Sequence, residues 1–190
     1  MKKNKVIAGV DEVGRGCLAG PVVSAAVILK KSINLKRLKD SKKLTFIQRK
    51  NISNYIKENS IFSVGISSVK EIEKLNILQA SLLSMKRAIQ SLTKKPDIIL
   101  IDGIFSPDIN LKCKCYVKGD EKIKSISAAS IIAKVYRDEL MIKISKKYNK
   151  YSWEKNFGYG TKQHLDGLKI YGLTPIHRKN FKPIYNMLLK

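Results

Sequence analysis

Acidic residues are scarce in this 190-residue chain, 15 against 38 lysines and arginines, so their positions carry information. Asp11-Glu12 follow the apolar run Val6-Ile7-Ala8-Gly9-Val10. Asp102 closes a second run, Asp97-Ile98-Ile99-Leu100-Ile101, and Asp120 follows a weaker third one around Cys115 to Val117. In open α/β sheets, ligand sites gather where strands end. Carboxylates collected at one sheet edge repel unless a cation lies between them, and hard divalent ions such as Mg²⁺ prefer oxygen ligands. Two such ions can hold a phosphodiester for in-line attack. Taken singly, each acid is equally an ordinary turn residue, Asp102-Gly103 above all. Adjacent residues of a regular strand face opposite sides, so at least one of Asp11 and Glu12 is expected to lie in a turn if both serve one metal.

Gly14-Arg15-Gly16 follows the acidic pair directly. Glycine lets a backbone approach a ligand closely, and arginine pairs with phosphate. The next glycine is Gly20, so the spacing is not that of a dinucleotide-binding loop. Asp40-Ser41-Lys42-Lys43 offers hydroxyl and ammonium donors for a phosphate, or is a solvated loop. No spacing of Ser, His and Asp argues for a nucleophilic triad. The C-x-C pair Cys113 and Cys115, even with Cys17, His164 and His177, lacks standard zinc spacing. These read as ordinary cysteines in a reducing compartment.

The elements that must position these groups follow from periodicity. Val6–Val10 and Val22–Leu29 read as strands joined by a Gly-rich turn. Thr45-Phe46-Ile47-Gln48 and Ser68-Val69-Lys70-Glu71 fit capping boxes that open helices. Ile61–Ile66 is a further strand. Leu78, Leu82, Met85, Ile89 and Leu92 fall at helical spacing, and Ser127 is placed to cap a long helix through Ile144. The last forty or so residues hold the only Trp and both His residues, with aromatic and Gly enrichment over Tyr151–Gly160. The pattern predicts an α/β fold, a mixed sheet flanked by helices.

A net charge of +23 and a pI near 10.0 attract polyanions, nucleic acid first among them, or follow from a Lys-rich composition. No stretch approaches the length of a membrane span, and the apolar run after the basic start ends at Asp11-Glu12, too early for an export signal. The expectation is a cytoplasmic protein.

The ordered set of motifs closely resembles type 2 ribonuclease H (ribonuclease HII). The matching pieces are Gly9-Val10-Asp11-Glu12-Val13-Gly14-Arg15-Gly16, Ala19-Gly20-Pro21-Val22-Val23, Asp40-Ser41-Lys42-Lys43-Leu44, Asn76-Ile77-Leu78, Ile101-Asp102-Gly103 and Lys118-Gly119-Asp120. Ser127-Ala128-Ala129-Ser130-Ile131-Ile132-Ala133-Lys134-Val135 with Arg137-Asp138 follows, then Gly158-Tyr159-Gly160-Thr161 with His164. His177-Arg178 with Phe181 and Pro183 closes the set.

This resemblance implies an RNase H-like core over about residues 5–148 and a C-terminal, substrate-contacting helical segment over about 149–190, forming one catalytic domain. It implies an endonuclease that cuts the RNA of RNA–DNA hybrids and lone ribonucleotides in duplex DNA on their 5′ side, leaving 3′-hydroxyl and 5′-phosphate ends. Such an enzyme serves ribonucleotide excision in DNA repair and replication. The family's metal-binding, catalytic acids fall on Asp11, Glu12, Asp102 and Asp120, with Asp138 the competing choice for the fourth. The implied cofactor is Mg²⁺ or Mn²⁺, two ions with substrate bound. Gly14, Arg15 and Gly16 match the segment that contacts the ribose 2′-hydroxyl, the group that separates RNA from DNA. Tyr159 matches the residue that packs on the next sugar, and Ser41, Lys42 and Lys43 match a substrate-binding loop. His164 and His177 are expected to support structure or substrate, not metal. Cys17 departs from the proline common after Gly-Arg-Gly, and Asn180 from the usual serine. The expected partner is the hybrid or ribonucleotide-containing duplex, with no membrane, no obligate protein partner and a monomeric state. The competing readings are a non-catalytic nucleic-acid binder of the same fold and a DNA-resolving nuclease.

Overall fold

The computed structural model describes residues 5–34 and 45–189. Ser41, Lys42 and Lys43 lie outside the described residues. Five strands form one mixed sheet in the order β3-β2-β1-β4-β5: β1 (Ile7–Val13), β2 (Val22–Leu29), β3 (Ser60–Ser67), β4 (Ile98–Asp102) and β5 (Lys112–Tyr116). β1 pairs antiparallel with β2 and β2 with β3, whereas β4 joins β1, and β5 joins β4, in parallel. The expected flanked mixed sheet is present.

Alternation along the strands sorts the core into two layers. Ala25 and Val27 face α4 (Lys124–Lys147) and α1 (Phe46–Glu58). Ala8, Val10, Ala26, Ile28, Ile99 and Ile101 face α2 (Val69–Gln90). The intervening positions of β1 and β4 therefore point toward α4. Gly9 is one of them. A Cβ there would sit 2.1 Å from the Ser125 carbonyl carbon, so glycine lets the start of α4 lie directly on β1.

Both capping boxes form. Thr45 and Gln48 bond reciprocally at α1, as do Ser68 and Glu71 at α2. α2 is interrupted at Asn76 (φ 69°), whose side chain accepts from the Gln79 N–H and restarts the helix. Two expectations need correction. Ser127 does not cap α4: the helix starts at Lys124, and the Ser127 N–H already donates to the Ile123 carbonyl. The third strand is displaced, to Lys112–Tyr116, with the short α3 (Gly119–Lys122) behind it.

The C-terminal part carries α5 (Trp153–Asn156), α6 (Lys162–Tyr171) and α7 (Ile184–Leu188). Trp153, Leu168 and Ile184 are buried with Leu18, Ala19 and Met141, which ties this segment to the β1–β2 loop and α4. Among the described residues no helix is long and apolar enough to cross a membrane.

Candidate active site

β1 outruns β4. Its ladder to β4 stops at Val10↔Ile101, while its ladder to β2 continues to Val13↔Val23. The next step of the parallel register sets Asp11 beside Asp102, both on the face toward α4. Asp11 and Glu12 both remain within the strand, so, contrary to expectation, neither lies in a turn. The open edge beyond Val10 makes a turn unnecessary.

Asp11 is 5% exposed. Burial first, then the charges of Glu12 and Asp102, hold its carboxyl well above the usual carboxylate range, while a hydrogen bond to Ser130 acts the other way. Burial also raises Glu12, against the pull of Arg15, with Asp102 adding to the rise. The Arg15 guanidinium stands 3.1 Å from Glu12 Oε1, while Glu12 Oε2 is buried without a hydrogen-bond partner. Asp102 Oδ1 accepts from the Gly119 N–H at 2.6 Å, which brings the first turn of α3, and so the Asp120 backbone, to the same strand end. Among the described residues no three acid, His or Cys side chains are already gathered as a ligating set.

The donor chemistry fits a hard divalent cation. Three carboxylates press on one another's charge, and one of them presents an orphaned, buried oxygen. Asp138, on α4, is fully buried; its Oδ1 accepts from Lys134 Nζ at 2.8 Å, and its Oδ2 is likewise buried without a hydrogen-bond partner.

A cleft of about 360 Å³ adjoins the acids, lined by Glu12, Val13, Arg49, Ser130, Lys134 and Tyr159 among others. It brings Tyr159, more than a hundred residues away in sequence, to the end of β1. Tyr159 is partly exposed, and burial, with Cys17 next, pushes its hydroxyl up to about 12. Lys134 Nζ stands 5.7 Å from its ring centroid and 4.8 Å from that of Phe157.

His164 and His177 are buried and bonded to each other, Nε2 to Nε2, at 3.0 Å. The network fixes their tautomers. The Thr174 N–H donates to His177 Nδ1, so His177 Nε2 carries the proton given to His164 Nε2. Trp153 Nε1 donates to that same nitrogen, and His164 Nδ1 then donates to the Tyr159 carbonyl. Both histidines are thus neutral packing groups that fix the backbone of Tyr159. Cys113 and Cys115 lie in β5, free, and Cys17 is free and buried.

Sequence reasoning gave no role to Ser130, Lys134, Arg137 or Arg178, although all four lie in the motif pieces. Ser130 and Lys134 are one helical turn apart on α4, a spacing that places them on one face. Nothing in the sequence says which face meets Asp11.

The ribonuclease HII family model matches residues 8–184. The chain belongs to the ribonuclease HII family. A ribonuclease HII from Pelagibacter ubique (strain HTCC1062) is 58% identical over 97% of this chain and 100% of its own length. The solved ribonuclease H2 of Pyrococcus horikoshii OT3 superposes with a TM-score of 0.78 at 30% identity, covering 95% of this chain and 96% of that one. The ribonuclease HII of Archaeoglobus fulgidus, solved as a complex with PCNA, gives a TM-score of 0.73 at 26% identity over 93% and 95% of the two chains. The sheet and its helices are therefore the RNase H fold, and the chain is an endonuclease of the ribonuclease H class.

Proposed function

We propose that this ribonuclease HII family member hydrolyses the RNA strand of RNA–DNA hybrids and cuts on the 5′ side of single ribonucleotides in duplex DNA, leaving 3′-hydroxyl and 5′-phosphate ends. The observation that carries this reading is the convergence of Asp11, Glu12 and Asp102 beside a cleft that also holds Tyr159. Asp11, Glu12, Asp102 and Asp120 would hold a pair of Mg²⁺ or Mn²⁺ ions. When bound, these ions supply Lewis-acid polarisation of the phosphodiester and neutralise charge on the leaving oxygen.

The chain's own residues do the rest. The cationic surface binds the duplex through its phosphates, which makes affinity strongly salt-dependent. The Gly14-Arg15-Gly16 loop, directly after the acids, offers backbone groups to the ribose 2′-hydroxyl. Tyr159 presents its ring to the neighbouring sugar, with Lys134 beside it to meet a phosphate. Ser130 steadies the Asp11 carboxylate by a hydrogen bond. Ser41, Lys42 and Lys43 are proposed as further donors to the substrate backbone. Residues 149–190 form the part of the catalytic domain that carries Tyr159 to the acids.

The test uses two DNA duplexes, one with a single ribonucleotide and one without, in Mg²⁺, Mn²⁺ or EDTA. Cleavage is expected only of the first, only with metal, and on the 5′ side of the ribonucleotide. Equal cutting of the all-DNA duplex, or cutting undiminished by EDTA, overturns the reading.

A further inference from the structure

Two arginines, Arg137 of α4 and Arg178 near the C-terminus, are fully buried, and among the described residues no salt bridge reaches either. Their donors go to backbone carbonyls of the segment joining β1 to β2, and to Phe157. Arg137 donates to Ala19, Pro21 and Phe157. Arg178 donates through Nε to Gly20 at 2.9 Å, through one terminal nitrogen to Arg15 at 2.9 Å, and through the other to Gly14 at 2.7 Å. The Phe181 ring covers the guanidinium, 5.1 Å from Cζ. An uncompensated buried cation is costly, so six carbonyl dipoles here take the place of a carboxylate.

The two halves of the segment are held differently. Over Leu18–Pro21 both kinds of backbone group are engaged. The Leu18 and Ala19 N–H groups donate to the Gly158 carbonyl, and the Gly20 N–H to that of Ile176. The Leu18 carbonyl accepts from the Arg178 N–H. Of the Gly14–Gly16 backbone, only the Gly14 and Arg15 carbonyls are held among the described residues. Among the described residues nothing accepts from the N–H groups of Arg15 and Gly16. A trans peptide points its C=O and the following N–H in opposite directions. Drawing the Gly14 and Arg15 carbonyls inward onto one guanidinium therefore turns the Arg15 and Gly16 N–H groups outward together. Successive amides arranged so make a small concavity that recognises an electronegative atom. Two carbonyls aimed at one point repel, and a cation there is what lets them share it. Burial lowers the Arg178 pKa to about 10, which leaves it charged at neutral pH.

We propose that Arg178 is a positioning residue for recognition of the ribose 2′-hydroxyl: it holds the Gly14 and Arg15 peptide planes so that the Arg15 and Gly16 N–H groups face the substrate. This deepens the proposed function and rests on the reading of Gly14–Gly16 as the 2′-hydroxyl contact. Arg178 itself touches no substrate. Its effect is on selectivity for RNA over DNA, not on affinity for duplex in general.

The test measures binding of the full chain, in EDTA, to a duplex with one ribonucleotide and to its all-DNA counterpart, for the native protein, Arg178→Gln and Arg178→Lys. The native protein is expected to prefer the ribonucleotide duplex. Arg178→Gln should lose at least tenfold of that preference while its all-DNA affinity stays within twofold, and Arg178→Lys should recover part. A folded Arg178→Gln that keeps the native preference overturns the proposal and leaves the reading of the loop intact. A native protein without any preference overturns the reading itself. Should Arg178→Gln not fold, amide spectra of the native protein decide. The Arg15 and Gly16 N–H signals should move on adding the ribonucleotide duplex and not on adding the all-DNA one. No difference between the duplexes at those two amides overturns the proposal.

Discussion

Gly14 and Gly16 flank Arg15, yet alanine should do opposite things at the two positions. Gly14 has a φ of +94°, and a Cβ there would stand 2.2 Å from Arg137 Nε. The left-handed backbone costs an alanine about 1–2 kcal/mol, and displacing a buried, fully bonded arginine adds about 1–3 kcal/mol. Together these lower stability by about 2–5 kcal/mol, or about 4–20 °C in Tm for a chain of this size. Gly16 has an ordinary φ, and nothing lies within 4 Å of its would-be Cβ. The fold therefore makes no demand for glycine there. Gly16→Ala should stabilise by about 0.4–1 kcal/mol through the unfolded chain, raising Tm by about 1–4 °C. On the proposed reading of the loop, its methyl group would nevertheless enter the space the sugar occupies. A misplacement of about 1 Å can cost about 100-fold in rate, so cleavage at a single ribonucleotide should fall by that order while all-DNA binding is unchanged. Thermal melts and single-turnover cleavage, run on both variants, check this. If Gly16→Ala melts as low as Gly14→Ala, or cleaves like the native enzyme, the assignment of Gly16 to the substrate is refuted.

Asp102→Asn should depress cleavage beyond the roughly 10–100-fold typical of an outer-shell change, with hybrid affinity in EDTA within about threefold. A comparable loss of affinity in a binding titration would count against a catalytic role. Asp138→Asn should lower Tm by disturbing the Lys134 contact and retain most activity. If the folded variant is as inactive as Asp120→Asn, then Asp138 is the fourth acid. Burial pushes His164 down and His177 down to about 4, so both stay neutral in the native state at a pH where the unfolded chain is protonated. Stability contributed by this pair is complete above about pH 6.5 and is lost as pH falls toward 4, by about 3 kcal/mol from His177 with His164 adding to it. Imidazole nitrogen spectra should show His177 protonated on Nε2 and His164 on Nδ1 at neutral pH. A His177 titration near 6.5 would refute the buried relay.

Much of this protein was legible in sequence because the signals are local. The capping boxes at Thr45 and Ser68 and the apolar run of β2 depend on near neighbours, and these formed as expected. The order of motifs along the chain carried the family. The start of α4 was misread because Ser127 resembles a cap, whereas the helix boundary is set upstream by α3 and Ile123. The expectation that Asp11 or Glu12 lies in a turn failed for a related reason. Whether a strand residue can reach a neighbour's site depends on where the adjacent strand stops, and β4 stops pairing at Val10.

The amino-acid sequence by itself determined the chemistry available: a cationic chain with a few acids at the ends of apolar runs, a glycine pair and a tyrosine. Only the tertiary structure decided how these meet. Parallel pairing of β1 with β4 sets Asp11 beside Asp102, some ninety residues apart in sequence. Arg137 and Arg178, which in sequence look like two more surface cations among 38 basic residues, are buried, and their bonds orient the backbone of the loop between β1 and β2. The physical reason is that a guanidinium's role is set by what surrounds it, and five of the six carbonyls that surround these two come from residues more than a hundred positions away.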